Sequence, residues 1–143
     1  MISSESDLIF VADVGGTYLR AATVDRDGNL HHRVKHPTPP SEKPDDIVQA
    51  LVDAAHECES RGVAEGRTIA AVSVAVPGTV DFQEGLVITA PNVPCLNGFH
   101  LGAALAAKGD KAGARREFET ALRLNEKNSF PEADEARKAL AAL

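Results

Sequence analysis

Tryptophan is absent from this 143-residue chain, and aromatic residues make up only 4% of it. A core must therefore be assembled from Val, Ala, Leu and Ile, and an apolar content of 43% is enough for one. Basic residues are in the minority, with 15 Lys and Arg against 21 Asp and Glu, a net charge of −6 and a pI near 5.3. No basic stripe is available to neutralise phosphates, which excludes a general nucleic-acid binder. Cysteine occurs twice, as Cys58 and Cys95, without the CxxC spacing of zinc or redox sites, so reduced thiols are expected. No apolar run reaches membrane-spanning length. The first seven residues are polar and acidic and lack the basic flank and apolar segment of a signal peptide. The expected location is the cytoplasm. The length suits one domain, or one small domain with an appendage.

What is present is concentrated in residues 8–30. An apolar run, Leu8-Ile9-Phe10-Val11-Ala12, ends in Asp13; Gly15, Gly16 and Thr17 follow, then a second apolar run to Val24. This reads as strand, glycine turn, strand. A Gly-Gly pair after a strand is usually only a tight turn. It also lets backbone N–H groups face outward around a concavity that suits phosphate oxygens. Asp13 at the strand tip is placed to hold a metal or its water, and the Thr17 hydroxyl to donate to a phosphate. No Gly-Lys-Ser/Thr follows, so this is not a Walker loop.

Further along, Arg26-Asp27-Gly28-Asn29 predicts a hairpin turn and Leu30 to His36 a third strand with one wet face. Four prolines make residues 37–44 a loop. Residues 45–61 predict a helix, with Ile47, Leu51, Ala54, Ala55 and Cys58 on one face and Gly62 as its stop. Thr68 to Val76 reads as a buried strand ended by Pro77-Gly78. Residues 79–82 and 86–90 read as a second hairpin around Gln83-Glu84-Gly85. The histidines are scattered: His31 and His32 are strand neighbours facing opposite ways, and His56 and His100 are isolated. No metal site is expected beyond a nucleotide-bound Mg²⁺, and no nucleophilic triad can be assembled.

This order, β-β-β-α-β and then a hairpin, resembles the opening of an actin-like ATPase (ribonuclease H-like) lobe, an α/β fold. In sequence it resembles the ROK family of repressors and sugar kinases over residues 8–101. The resemblance is carried by Asp13-Val14-Gly15-Gly16-Thr17 with Arg20, Asp27-Gly28, Val76-Pro77-Gly78-Thr79-Val80-Asp81, Gly85, residues 90–94 and Asn97-Gly98. It implies a glucokinase-like protein. Asp13, Gly15, Gly16, Thr17 and Arg20 would then meet the phosphates and Mg²⁺ of ATP, and Gly78, Thr79 and Asn92 would wall the sugar. Arg20 is equally suited to a surface ion pair. In the family, a helix and a strand after the Asn-Gly pair lead to an Asn-Asp dipeptide whose Asp deprotonates the sugar. No Asn-Asp pair occurs here, so no catalytic residue is assigned. The second lobe and the later Cys/His zinc motif are also missing.

Composition shifts near Leu101. Residues 101–143 are rich in Ala, Glu, Arg and Leu and read as an all-α hairpin plus a terminal helix from about Pro131. Leu101, Gly102 and Leu105 share one face, Gly109-Asp110 is a turn, and Ala114, Phe118, Ala121 and Leu122 form the next stripe. This resembles a tetratricopeptide repeat with a capping helix. A lobe over residues 8–100 and a helical addition over 101–143 are the expected divisions. Two functions follow: a truncated or chimeric sugar-kinase relative without activity by itself, binding sugar and nucleotide, or an interaction module that uses residues 101–143 for a protein partner or self-association. A fusion, frameshift or assembly error at the join is a third origin. The sequence does not name the sugar.

Overall fold

The computed structural model describes residues 7–111 and 117–122, with side chains described for residues 7–108. Strands β1 (Asp7–Val14), β2 (Tyr18–Val24) and β3 (Leu30–Pro37) form an antiparallel meander. Helix α1 (Pro44–Ala64) crosses back to β4 (Thr68–Val76), which pairs parallel to β1. A separate two-stranded hairpin, β5 (Thr79–Asp81) and β6 (Leu86–Thr89), follows. A short 3-10 turn over Pro94–Leu96 leads into α2 (Leu101–Lys111) and then β7 (Glu117–Leu122). The main sheet runs β3-β2-β1-β4-β7.

The expected β-β-β-α-β order plus hairpin is therefore observed, with β1 at the centre of the sheet. Along β1 every second residue is buried, namely Leu8, Phe10, Ala12 and Val14. Phe10, Ala12 and Val14 share one core with Ile47, Val48, Leu51 and Ala54 of α1, which lies on that side of the sheet. Leu101 and Leu105 bring α2 into the same core. Asp45 and Asp46 stand in the first turn of α1 and complement its positive end. The helix does not stop at Gly62 as predicted. Gly62 is buried inside it, where an added Cβ would come 3.4 Å from Leu8 Cδ1. Its small size serves packing, and the chain turns instead at Glu65 and Gly66, whose φ is +73°.

The helical hairpin expected after Leu101 is corrected in two places. α2 forms, but it runs through Gly109-Asp110 to Lys111, where a turn was expected. Glu117–Leu122 is a strand, pairing Ala71 to Val76 of β4 residue by residue. The pattern Phe118, Thr120, Leu122 fits a period of two as well as of four. An open parallel edge on β4 offers backbone partners that an isolated helix does not, so tertiary pairing outweighs helix propensity. The repeat-like reading is thus not supported by the described residues. The terminal helix predicted from Pro131 lies outside them.

The β2–β3 hairpin is closed by Asp25. Its carboxylate accepts from His31 Nε2 at 2.8 Å, the Asn29 amide at 2.9 Å and the Asp27 amide at 3.0 Å. The His31 bond above all, and then these amides, hold the carboxyl well below its ordinary value of 3.8. A carboxylate depressed in the folded state stabilises above its unfolded pKa and loses that contribution as pH falls through the folded one. The urea midpoint should therefore drop as pH is lowered from about 4 to 2, and Asp25→Asn should flatten that slope. An unchanged slope would remove Asp25 as its source.

Candidate functional site

The carboxyl ends of the parallel strands β1 and β4 lie side by side, with Asp13 in register with Ala75. In open α/β sheets this is the edge at which ligands bind. Asp13 closes β1, and Pro77-Gly78 follows β4 directly, so the two predicted walls rise from adjacent strands.

The β1–β2 turn is tight. The Gly15 amide donates to the Tyr18 carbonyl at 2.9 Å. That corrects the expectation that both glycine amides face outward, because the hairpin uses the first for its own closure. Gly16 and Thr17 remain exposed at the tip. Asp13 is half-buried and stands opposite Arg20 across the β1–β2 ladder, on the side of the sheet away from α1. Arg20 is exposed and in turn opposes Lys35.

Gly16 also meets the second wall. A Cβ there would come 2.7 Å from the Asn92 carbonyl oxygen and 3.4 Å from Asn92 Cβ. The loop after β6 is thus seated directly on the glycine turn. Asn92 itself is exposed, not buried. Ala90 is fixed by Asn97, whose Oδ1 accepts the Ala90 amide at 2.7 Å. Gly78 is pressed against β6, since a Cβ would lie 1.8 Å from the Thr89 carbonyl oxygen. Thr79 is exposed and pairs with Thr89. The structure therefore brings Gly16 against Asn92 and fixes Gly78 and Thr79 beside the strand that leads to Asn92. Arg20 stands apart on the sheet face.

Thr38 was missed from sequence. Its amide donates to the Thr17 carbonyl at 2.9 Å and its hydroxyl to the Gly15 carbonyl at 2.6 Å. It is buried and clamps the glycine turn from the far end of β3. The only signal was a threonine caught between Pro37 and Pro39, which looked like loop. Thr38→Val should lower stability by about 1–2 kcal/mol, because a buried acceptor loses its donor, while Thr38→Ser should keep most of it. Equal urea midpoints for the two variants would contradict this role.

The donor set suits Mg²⁺ with phosphates. Mg²⁺ is commonly held by one or two carboxylates plus substrate oxygens, and Asp13 and the exposed Thr17 hydroxyl are of that kind. No group of three or more His, Cys, Asp or Glu placed for a metal occurs among the described residues.

A strand, glycine turn and strand on a β-β-β-α-β sheet, faced by a two-stranded hairpin, define the class. The chain belongs to the ROK family, whose family model matches residues 10–117. It is 37% identical over 81 residues to a glucokinase of Streptomyces coelicolor, a match covering 57% of this chain and 23% of the glucokinase. A glucokinase of Streptomyces lividans matches equally. Among solved structures it resembles a ROK hexokinase from Thermus thermophilus at 27% identity and TM-score 0.63, covering 79% of this chain and 35% of that one. It also resembles a ROK family glucokinase from Streptomyces griseus, solved with glucose and AMPPNP, at 28% identity and TM-score 0.61, covering 76% and 31%. The chain thus spans about a quarter of the curated relatives it matches. No described helix is long and apolar enough to cross a membrane.

Proposed function

We propose that this chain is the phosphate-loop portion of a glucokinase-like ROK protein, and that the 143 residues alone bind Mg-ATP without turning over sugar. Asp13 would hold Mg²⁺ through its carboxylate or a water. Gly16 and Thr17 would meet the phosphates, with Gly15 shaping the turn, and Arg20 would support the loop or meet a phosphate. Gly78, Thr79 and Asn92 would form one wall of the sugar site. On this reading residues 8–100 carry the ligand-facing part and residues 101–143 an addition to it. The observation that supports the proposal is the seating of the Asn92 backbone on Gly16, which would set a phosphate loop and a sugar wall against one another.

Phosphoryl transfer depends on positioning the attacking hydroxyl and accepting its proton. The sequence contains no Asn-Asp pair to supply the base by family resemblance. Binding without a positioned base gives little acceleration, because most of the rate comes from alignment.

Two measurements test this together. Saturating Mg-ATP should stabilise the chain by at least about 1 kcal/mol in a thermal shift, and Asp13→Ala should remove that gain. Glucose with ATP should release no ADP above background. ADP release that Asp13→Ala abolishes would overturn the inactive half of the proposal, and no thermal shift would overturn the binding half.

A further inference from the structure

The β2–β3 ladder changes register partway along. From Tyr18 with Pro37 to Ala21 with Val34 it keeps one phase, and at Thr23 with His31 and Val24 with Leu30 it is one residue out of that phase. Between the two stretches β2 has only Ala22, whereas β3 has His32 and Arg33. β3 thus carries one extra residue, a β-bulge, a device that re-aims a strand near a functional site. His32 takes the strain. Its φ of +48° is the one positive value outside glycine among the described residues, in a region that L side chains rarely adopt. Three elements hold it there. Thr23 Oγ1 of β2, fully buried, shares a 2.8 Å hydrogen bond with His32 Nδ1. Cys58 Sγ of α1 donates to the His32 carbonyl at 3.1 Å. Glu65 Oε1, just past α1, lies 3.1 Å from Nε2, close enough to pair with a protonated ring but without the alignment of a hydrogen bond.

We propose that His32 is a positioning residue for the glycine turn: its bulge sets the phase of β3 so that Thr38, and not Pro37, arrives opposite Thr17. In the observed phase the Thr38 amide and hydroxyl reach the Thr17 and Gly15 carbonyls. Carried on in the phase of Thr23 with His31, Thr17 would face Pro37, which has no N–H to donate. The same slip would turn Arg33 toward the α1 side and move Val34, now in the core, to the other face. At about 3.4 Å per residue, His32 and Thr38 lie about 20 Å apart along the strand. His32 therefore acts through Thr38 and touches no ligand itself. That the turn so fixed is a phosphate loop rests on the function proposed above; the phasing itself does not.

Hydrogen exchange on three variants of the full chain separates phase from packing. In His32→Asn the new residue tolerates positive φ, so the Thr38 amide should stay within about threefold of its parent protection. Deleting His32 removes every contact its ring makes, yet lets Ala22 pair with Arg33 in one continuous register that still ends with Thr38 at Thr17. Its Thr38 amide should stay protected too. His32→Val keeps the length, but a β-branched residue resists positive φ. There the Thr38 amide should be accelerated at least about tenfold more than the amides of β4, and the Mg-ATP thermal shift should shrink. Equal acceleration of Thr38 and β4 would overturn the proposal, since that is the mark of general destabilisation. If His32→Val does not fold, the deletion decides: lost Thr38 protection there would overturn the phasing, and retained protection would support it. The expected exchange pattern with no Mg-ATP shift even in the parent would support the phasing and overturn only the nucleotide reading.

Discussion

Replacing Gly78 by alanine should lower stability by about 3 kcal/mol, the upper end of what overpacking usually costs, or more. The added methyl would sit 1.8 Å from the Thr89 carbonyl oxygen, 2.8 Å from its carbon and 3.0 Å from Ala90 Cα. All three atoms are backbone, so no rotamer change relieves the clash. The hairpin must separate, and with it the Thr79 and Thr89 pair that closes β5 on β6. Val80 and Val87, both buried in the main core, would be exposed as it opens. Gly28→Ala is the control. Gly28 has a φ of +85° but nothing within 4 Å of its would-be Cβ, so only the left-handed strain of about 1–2 kcal/mol applies. Urea unfolding of the two variants should separate them clearly. A Gly78→Ala midpoint equal to that of Gly28→Ala would mean that β6 yields without resistance.

Gly16→Ala should erase the response to Mg-ATP while leaving most of the fold intact. The new Cβ would come 2.7 Å from the Asn92 carbonyl oxygen. One of the two loops must retreat, at a cost of about 1–2 kcal/mol for an overpacked contact near the surface. The sheet beneath does not depend on that contact, because β1 pairs with both β2 and β4 along its length. The proposed ligand site does depend on it, since the glycine turn and the Asn92 loop would no longer share a fixed separation. The measurement is a thermal shift at a temperature where the variant is still folded. An undiminished Mg-ATP shift would mean that the glycine turn works without its neighbour.

Much of this architecture was legible in the residues. The unbroken apolar run of β1 placed it centrally, the Asp27-Gly28 pair marked a hairpin, and the spacing of Ile47, Leu51 and Cys58 drew the buried face of α1. Two kinds of feature were not legible. One is contact at long range: Thr38 clamps Gly15 from 23 positions away, and Gly62 is small because Leu8 lies against it. Local pattern carries no record of such partners. The other is competition between elements. Residues 117–122 suit a helix by composition, yet they pair with β4, because a free parallel edge rewards extension. Of the candidate site, the glycine turn was visible and its seat on Asn92 was not. The pairing of Gly16 with Asn92, far apart in the chain, is a property of the folded sheet.

The two histidines show the same limit. His31 and His32 were read as pointing to opposite faces. Their ring centroids lie 5.9 Å apart, because His32 sits at a φ of +48° where the β2–β3 register shifts. His32 Nδ1 shares a 2.8 Å hydrogen bond with Thr23 Oγ1, and its Nε2 lies 3.1 Å from Glu65 Oε1. A regular strand would not allow this.

That irregularity has a use for the molecule in a crowded solution. β3 is the outermost strand on its side among the described residues, and such an edge invites another polypeptide to zip alongside, although Cys58 Sγ and Arg61 Nη1 already donate to the His32 and Arg33 carbonyls. The kink at His32 spoils the straight run such an intruder would need. Arg33, Lys35 and the ring of Pro37 line the same rail with positive charge and a missing donor. Fibre-like growth from this border is thereby blocked by the backbone and by charge together, even though the rest of the chain is acidic.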